Sequence, residues 1–541
     1  VTAFNLCDSP WIRVRDHSGR LSEKSLRAAF HDADSTAAIT GELATQSVAI
    51  LRLMEAILLR ATRKEVATDC VRAWKSWWRD GLPLTAIDTY LDRWQHRFDL
   101  RDPEAPFLQV AGLTTATGAT SGLVKLIGEL PANHAFFTQR AGSGRTSLDA
   151  AEAARWLVHC QAFDPSGIKT GALGDDQVKG GKGYPIGVGW AGRLGLVVVE
   201  GSSLAETLLL NLWLEQPDPD SDRPVWEREP LGAGIEAGHP EPEGPADLFT
   251  WPSRRVLLHW QDDRVVDVQI SNGDRLGPQN RMGVEPMTPW RRSTPQEKAL
   301  GLPVVYMPLE HDPSRQVWRG LASWIETQHG SSRDTQNRLR PQTIEWLSEL
   351  TDRDALPEDL RIRLRSVGAI YGSQSAVIDT VVDDALDAHV AAVTDPTVIA
   401  LAGLGMTHAD SGASALAEFA GNLADATNSD KDAARRQGRE IGYAALDGEF
   451  RRWFAKLTPE TDPAAAINAW SETVLWLVRA EGERMADAAG PGALRGRNLS
   501  RPDEKPRHMD LGRAWSFFIR KLYAELSLPD RQTTNPEEVP A

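Results

Sequence analysis

The residues of this 541-residue chain that could do chemistry fall into two sets. The first set is catalytic in type. His31-Asp32 and His311-Asp312 are His-Asp dipeptides, the pairing that holds metal in some phosphohydrolases, but no further His/Asp cluster accompanies either. Gly181-Lys182-Gly183 has the look of a phosphate loop. That pattern needs Ser or Thr after the Lys and a Gly five positions before the Gly of the Gly-Lys pair; Gly183 and Asp176 stand there instead. No G-x-S-x-G and no H-E-x-x-H is present. Cys7, Cys70 and Cys160 have neither zinc-type spacing nor the pattern of a disulfide framework. A His-Asp phosphohydrolase stays open as one reading.

The second set suits nucleic acid. Phe136 and Phe137 precede Thr138, Gln139 and Arg140 and then a flexible Ala141-Gly142-Ser143-Gly144-Arg145 run. Aromatic rings stack on unpaired bases, and such polar side chains bond base edges or phosphates. The same residues also read as a hydrophobic plug under a surface loop. In Pro165-Ser166-Gly167-Ile168-Lys169-Thr170-Gly171, small residues flank a lysine. Backbone could press into a narrow groove there while Lys169 reaches a phosphate, or the segment is an ordinary turn. Tyr371-Gly372-Ser373-Gln374-Ser375-Ala376 presents a glutamine on a tight, small-residue turn, or is a linker between domains.

The elements that must position these residues follow from pattern. Apolar and polar positions partly alternate over residues 4–14, as in a short strand. Thr45 to Ala61 is helical, with Val48, Leu51, Ile57 and Leu58 on one face. Arg52 and Glu55 lie off that face and bar the segment from spanning a bilayer. Lys64 to Arg79, with Trp74, Trp77 and Trp78, and Ala151 to Gln161 are further helices. Ten glycines between Gly167 and Gly195 imply loops and short strands, before a buried strand at Leu194 to Val199. Gln216 to Pro245 reads as a solvated loop. Arg254 to Trp260 and Arg264 to Ile270 form a hairpin pattern. Arg361, Arg363 and Arg365 alternate with Ile362 and Leu364, which places the arginines on one face of a strand.

Helical patterns dominate after residue 377: Val377–Asp395, Ser411–Thr427, Asp432–Lys456, Pro463–Ala488 and Arg507–Ser527. The expected fold is α+β: a large irregular mixed α/β domain over residues 1–376, then an all-α four-helix bundle over 377–541. The length agrees with more than one domain, since single cores rarely exceed ~250–300 residues.

The net charge is −15, from 60 basic and 75 acidic residues. That argues against sequence-independent phosphate binding over the whole surface. A local groove is compatible: Phe136 to Arg193 holds seven Lys/Arg against five Asp/Glu. The cysteine usage fits a reducing cytoplasm, and no signal peptide is visible.

Phe4-Asn5-Leu6-Cys7-Asp8-Ser9-Pro10-Trp11-Ile12-Arg13-Val14 resembles the opening strand of the large-subunit family of the type I-E Cascade complex, a CRISPR surveillance assembly. The likeness recurs along the chain. Ala135 to Gln139 is similar to the family's Ala-Phe-Val-Asn-Gln guide-RNA loop, with Phe137 and Thr138 departing from it. Pro165 to Gly171 resembles its glycine loop, which reads the protospacer-adjacent motif from the minor groove; Gly167 persists, and Pro165 and Ser166 replace other residues. Gln374, beside Ser373, falls on its glutamine wedge. The family's lysine finger aligns with Asp274, so Arg275 or Arg281 would have to serve. Gly283 to Ser293 and Val305 to Arg315 resemble a stretch common in actinobacterial members. The four cysteines that bind zinc in some relatives are lacking, so no zinc is expected.

The resemblance implies a non-catalytic subunit of antiviral defence that needs no cofactor. It would read the motif in duplex DNA, help start strand separation and R-loop formation, and help recruit a nuclease-helicase. Its partners would be the other Cascade subunits, the CRISPR guide RNA and double-stranded target DNA, with no membrane. A minor-groove reader sees mainly A·T against G·C and tolerates several motifs, while guide pairing carries the sequence fidelity. A protein–protein scaffold without nucleic-acid contact is the other open alternative.

Overall fold

One helix, Ala44–Val66, organises the first part of the molecule. It is buried on nearly every side, packing against the helices Leu84–Trp94, Ala150–Phe163 and Pro245–Phe249. Arg52 and Glu55, expected off the apolar face, are inside it. Arg52 forks onto the buried Glu285 through hydrogen bonds of 3.0 and 2.7 Å. Among the described residues Glu55 has no hydrogen-bond partner, and burial pushes its carboxyl well above the usual range. A helix enclosed all round favours pairing its charges or leaving them neutral: Arg52 is paired, and burial pushes Glu55 toward its neutral form.

In this computed structural model the residues described are 3–130, 138, 140–215, 220–236, 238, 241–325, 337–499 and 507–526. The chain divides into two compact units, Val1–Leu386 and Asp387–Ala541.

The first unit is mixed α/β. The opening segment enters a three-stranded antiparallel sheet whose middle strand is Ile12–Asp16. The residues before it turn instead of extending, because the Asn5 side chain accepts from the Cys7 N–H at 3.0 Å. Leu6 and Trp11 are wholly buried, the indole N–H bonding to the Leu6 carbonyl at 3.1 Å. The expected hairpin is present as Arg254–Gln261 and Arg264–Asn272.

A second three-stranded sheet places Arg361–Tyr371 between Leu196–Glu200 and Ile378–His389. Ile362 and Leu364 are buried, while Arg361 and Arg363 are exposed. Arg365, on the arginine face, bonds Glu200 at 3.0 Å and Asp383 at 2.6 and 2.9 Å. The expected helix over Val377–Asp395 is corrected here: its greater part is the strand Ile378–His389. The β-branched run Ile378, Thr380, Val381 and Val382 is crowded in a helix and fits a pleated surface beside a ready partner strand. The division between units therefore falls ten residues later than the expected 376/377 boundary.

The second unit is helical. Pro396–Thr427, Lys431–Phe454, Pro463–Asp487 and Leu511–Glu525 are its long helices. Each begins at an aspartate, Asp395, Asp430, Asp462 or Asp510, whose side chain accepts from the first backbone N–H groups. Glycine permits a close crossing: a Cβ at Gly442 would lie 2.8 Å from the Ala413 Cα. Arg507–Met509, expected inside the last helix, is a strand paired with Arg497–Leu499. No helix among the described residues is long and apolar enough to cross a membrane.

Candidate nucleic-acid interface

The loop at 165–171 is built on buried charge. Helix Ala150–Phe163 ends at Asp164, a buried residue whose carboxylate takes Lys169 Nζ at 2.6 Å and Arg254 Nε. Burial would raise that carboxyl, but Lys169 and Arg254 overcome it and hold it below the usual range. Arg254 Nη2 also donates to the carbonyls of Pro165 at 3.1 Å, Asp164 at 3.3 Å and Gly187 at 2.8 Å. One buried guanidinium thus fixes both sides of the loop. Lys169 is thereby engaged inward instead of projecting to solvent.

Above this base the backbone is open. Gly167 has φ +130°, with nothing within 4 Å of where a Cβ would be. Glycine is required there by conformation, not by crowding. Ile168 beside it is 59% exposed. Lys169–Thr170 then pairs with Lys182–Gly183, so Gly181-Lys182-Gly183 belongs to a small hairpin and is no phosphate loop. The Ser271 hydroxyl bonds the Thr170 carbonyl at 2.7 Å and the Asn272 amide bonds the Tyr184 carbonyl at 2.6 Å, fastening this hairpin to the end of a longer one.

Gln374 sits at the tip between strands Arg361–Tyr371 and Ile378–His389, not between a strand and a helix. Gln374 (φ 56°) and Ser375 (φ 54°) are consecutive non-glycine residues in the left-handed region. That conformation is costly for both. The turn closes through Gly372 N–H to Val377 carbonyl at 3.0 Å and Ser375 N–H to Gly372 carbonyl at 2.9 Å. Ser373 and Gln374 are exposed.

The structure brings these two loops together. The Ser166 N–H donates to the Ser375 carbonyl at 2.8 Å. Below that contact, the Tyr371 hydroxyl donates to the Phe163 carbonyl at 2.7 Å. Glycine loop and glutamine turn therefore share one foundation.

The other expected residues divide. Asp274 is buried and accepts from Arg255 Nη2 at 2.8 Å and the Glu236 N–H at 2.9 Å, which explains a carboxylate at that position. Arg275 beside it is exposed. Arg281 is half-buried, ion-paired with Glu241 and bonded to the Gly277 carbonyl at 3.2 Å, so it is not available in the same way. Phe136, Phe137 and Gln139 lie outside the described residues. Thr138 donates to Glu129 at 3.3 Å and accepts from the Arg140 N–H at 3.1 Å; Arg140 in turn pairs with Glu129 and Glu152. The Thr138 hydroxyl is thus used within the loop's base.

The His-Asp dipeptides do not converge. His31 bonds Asp88 at 2.9 Å while Asp32 pairs with Lys24, and His311 bonds the Leu196 carbonyl at 2.9 Å while Asp312 caps Ser314. Among the described residues no group of three or more His, Cys, Asp and Glu could hold a metal ion. The 283–315 stretch is structural at its start: Glu285 takes Arg52 and the Trp190 indole N–H, the latter at 2.8 Å. Sequence reasoning missed Arg254. Its signal was an Arg254-Arg255 pair opening an apolar strand, where both side chains are at most 1% exposed.

The molecule is thus a mixed α/β unit with a helical unit after it, its candidate interface made of loops and not of a catalytic cluster. The model of the family described as CRISPR-associated protein Cse1 matches residues 5–480. The chain belongs to this Cse1 family, and so to the large-subunit family its opening motif resembles. The chain is similar to the CRISPR-associated protein CasA/Cse1 of Thermus thermophilus, 28% identical over 493 residues that cover 87% of this chain and 90% of that protein. The crystal structure of Thermobifida fusca Cse1 superposes with a TM-score of 0.87 at 38% identity, over 97% of this chain and 98% of that one. That of Cse1 from Acidimicrobium ferrooxidans gives 0.80 at 30% identity, over 97% and 99%.

Proposed function

We propose that this chain is the DNA-reading, non-catalytic subunit of a type I-E Cascade complex. The observation that carries the reading is the 2.8 Å bond from Ser166 to Ser375, which sets the glycine loop beside the glutamine turn. The minor groove is only ~6 Å wide and shows little beyond A·T against G·C. A bare Gly167 backbone with Ser166 suits entry there, and the exposed Arg275 would act as the cationic finger. Gln374 would enter beneath the motif and begin strand separation. Unstacking costs a few kcal/mol per step. The groove contacts offset that cost only if they form in the same act, which the shared foundation favours.

Phe136, Phe137, Thr138 and Gln139 would face the guide RNA. Guide pairing then extends the R-loop. The helical unit would face the other Cascade subunits and the displaced strand, and help recruit the nuclease-helicase, in the cytoplasm.

The test is a gel-shift titration of the reconstituted guide-RNA complex, with and without this chain, on duplexes differing only in the flanking motif. Motif-dependent duplex binding conferred by the chain is the expected result. Binding that is motif-blind, or indifferent to the chain, would leave a protein scaffold as the better reading.

A further inference from the structure

Arg193 is the most exceptional charge near the two loops. It closes a short 3₁₀ turn, Trp190–Arg193. That turn is pinned by the Trp190 bond to Glu285 at 2.8 Å and by Gly192, where any Cβ would collide with the Tyr371 hydroxyl. The Arg193 guanidinium lies across Gly187, at φ +106°, where a Cβ would collide with Nη2. The side chain is therefore half-buried and held in one place. Yet among the described residues its side chain has no hydrogen-bond partner and no ion pair within 4.0 Å. None of its nitrogens is sealed from solvent.

The surroundings hold more cations than anions. Burial lowers the Arg193 pKa, Glu310 is the strongest charge opposing it, Arg275 and Arg254 push with burial, and Tyr371 opposes. Lys169 and Arg254 already share Asp164. Burial raises the Glu310 carboxyl, while Arg193 and Arg291 pull it down. In a chain whose net charge is −15, this is a local excess of positive charge around an unpaired planar fork. Partial desolvation of a guanidinium without a partner is unfavourable unless a ligand completes it. A fork of parallel N–H donors matches a phosphate.

We propose that Arg193, with Arg275 near it, seats one backbone phosphodiester of duplex DNA at the foot of the glycine loop. This rests on the DNA-reading function proposed above. Such a contact carries no sequence information. It fixes register, so that Gly167 meets the groove at one base-pair step.

The experiment is a salt titration of duplex binding by the reconstituted complex. It compares wild type, Arg193→Gln, Arg193→Lys and Arg275→Gln on a strong and a weak flanking motif. Arg193→Gln should weaken binding to both duplexes by the same factor, leaving their ratio unchanged. The slope of log K against log salt should become shallower by about 0.9, one phosphate contact. Arg193→Lys should restore the slope while recovering only part of the affinity, since an ammonium lacks the fork. Arg275→Gln, at an exposed site, should lower the slope as well. An unchanged slope in Arg193→Gln overturns the proposal, as does a loss confined to one motif, which would make Arg193 a positioning residue for the loop. Should wild type bind without motif dependence, the function proposed above fails together with this inference. Should wild type discriminate while the variant's slope is unmoved, the inference alone fails.

Discussion

The glycine loop and the glutamine turn meet at one hydrogen bond but are built on opposite principles. The loop's shape is imposed from below, by a buried carboxylate shared between two cations and by carbonyls gathered onto Arg254. Its own backbone is relaxed, with the single demanding position filled by glycine. The turn shares that foundation only through Tyr371 and the Ser166 bond, with no buried charge of its own. It is held by backbone bonds at the end of two strands, and its two left-handed positions are filled by Gln374 and Ser375, residues poorly suited to them. The loop resembles a fixed gauge and the turn a stressed tip. Rigid placement and backbone strain are thus given to different segments.

Three substitutions probe that contrast. The largest effect is expected from Arg254→Met, which leaves Asp164 buried with one cation fewer and takes the guanidinium donors from the Pro165 and Gly187 carbonyls. Breaking a buried pair from one side costs about 3–5 kcal/mol. Urea unfolding of the free chain should register that loss; a change below about 1 kcal/mol would mean the loop does not depend on its charged base. Gln374→Ala comes next. R-loop formation on linear duplex should slow at least ~10-fold, about 1.4 kcal/mol on the barrier, with unfolding and assembly unaltered. Equal rates would remove Gln374 from strand opening. Ser375→Gly should have the smallest effect, relieving a left-handed residue and raising stability by about 1 kcal/mol. If R-loop rates hold, only the shape of the turn matters. If they fall, its backbone strain contributes to opening.

Legibility followed the range of the interactions. The hairpin at 254–272 and the arginine stripe at 361–365 were readable, because a period of two is local. The small-residue turns around Gly167 and Gln374 were readable as turns for the same reason. The strand Ile378–His389 was not, since Ala385, Leu386 and Ala388 suit a helix equally and only the neighbouring strand decides. Nor could sequence show that Lys169 points inward, that Arg281 meets Glu241, or that Arg193 meets no one. Each depends on which distant residue arrives at the same place, and the arginines look alike until their partners are known.

The bond between Ser166 and Ser375 joins main-chain atoms on both sides. Side chains at those positions can change over generations without cutting the link, and proline at 166 is the one natural residue that would remove its donor. Here the loop carries Pro165 and Ser166, and the joint is made all the same. If the loop reads and the turn opens as proposed, the reading surface can vary in sequence while the coupling between the two is kept in the main chain.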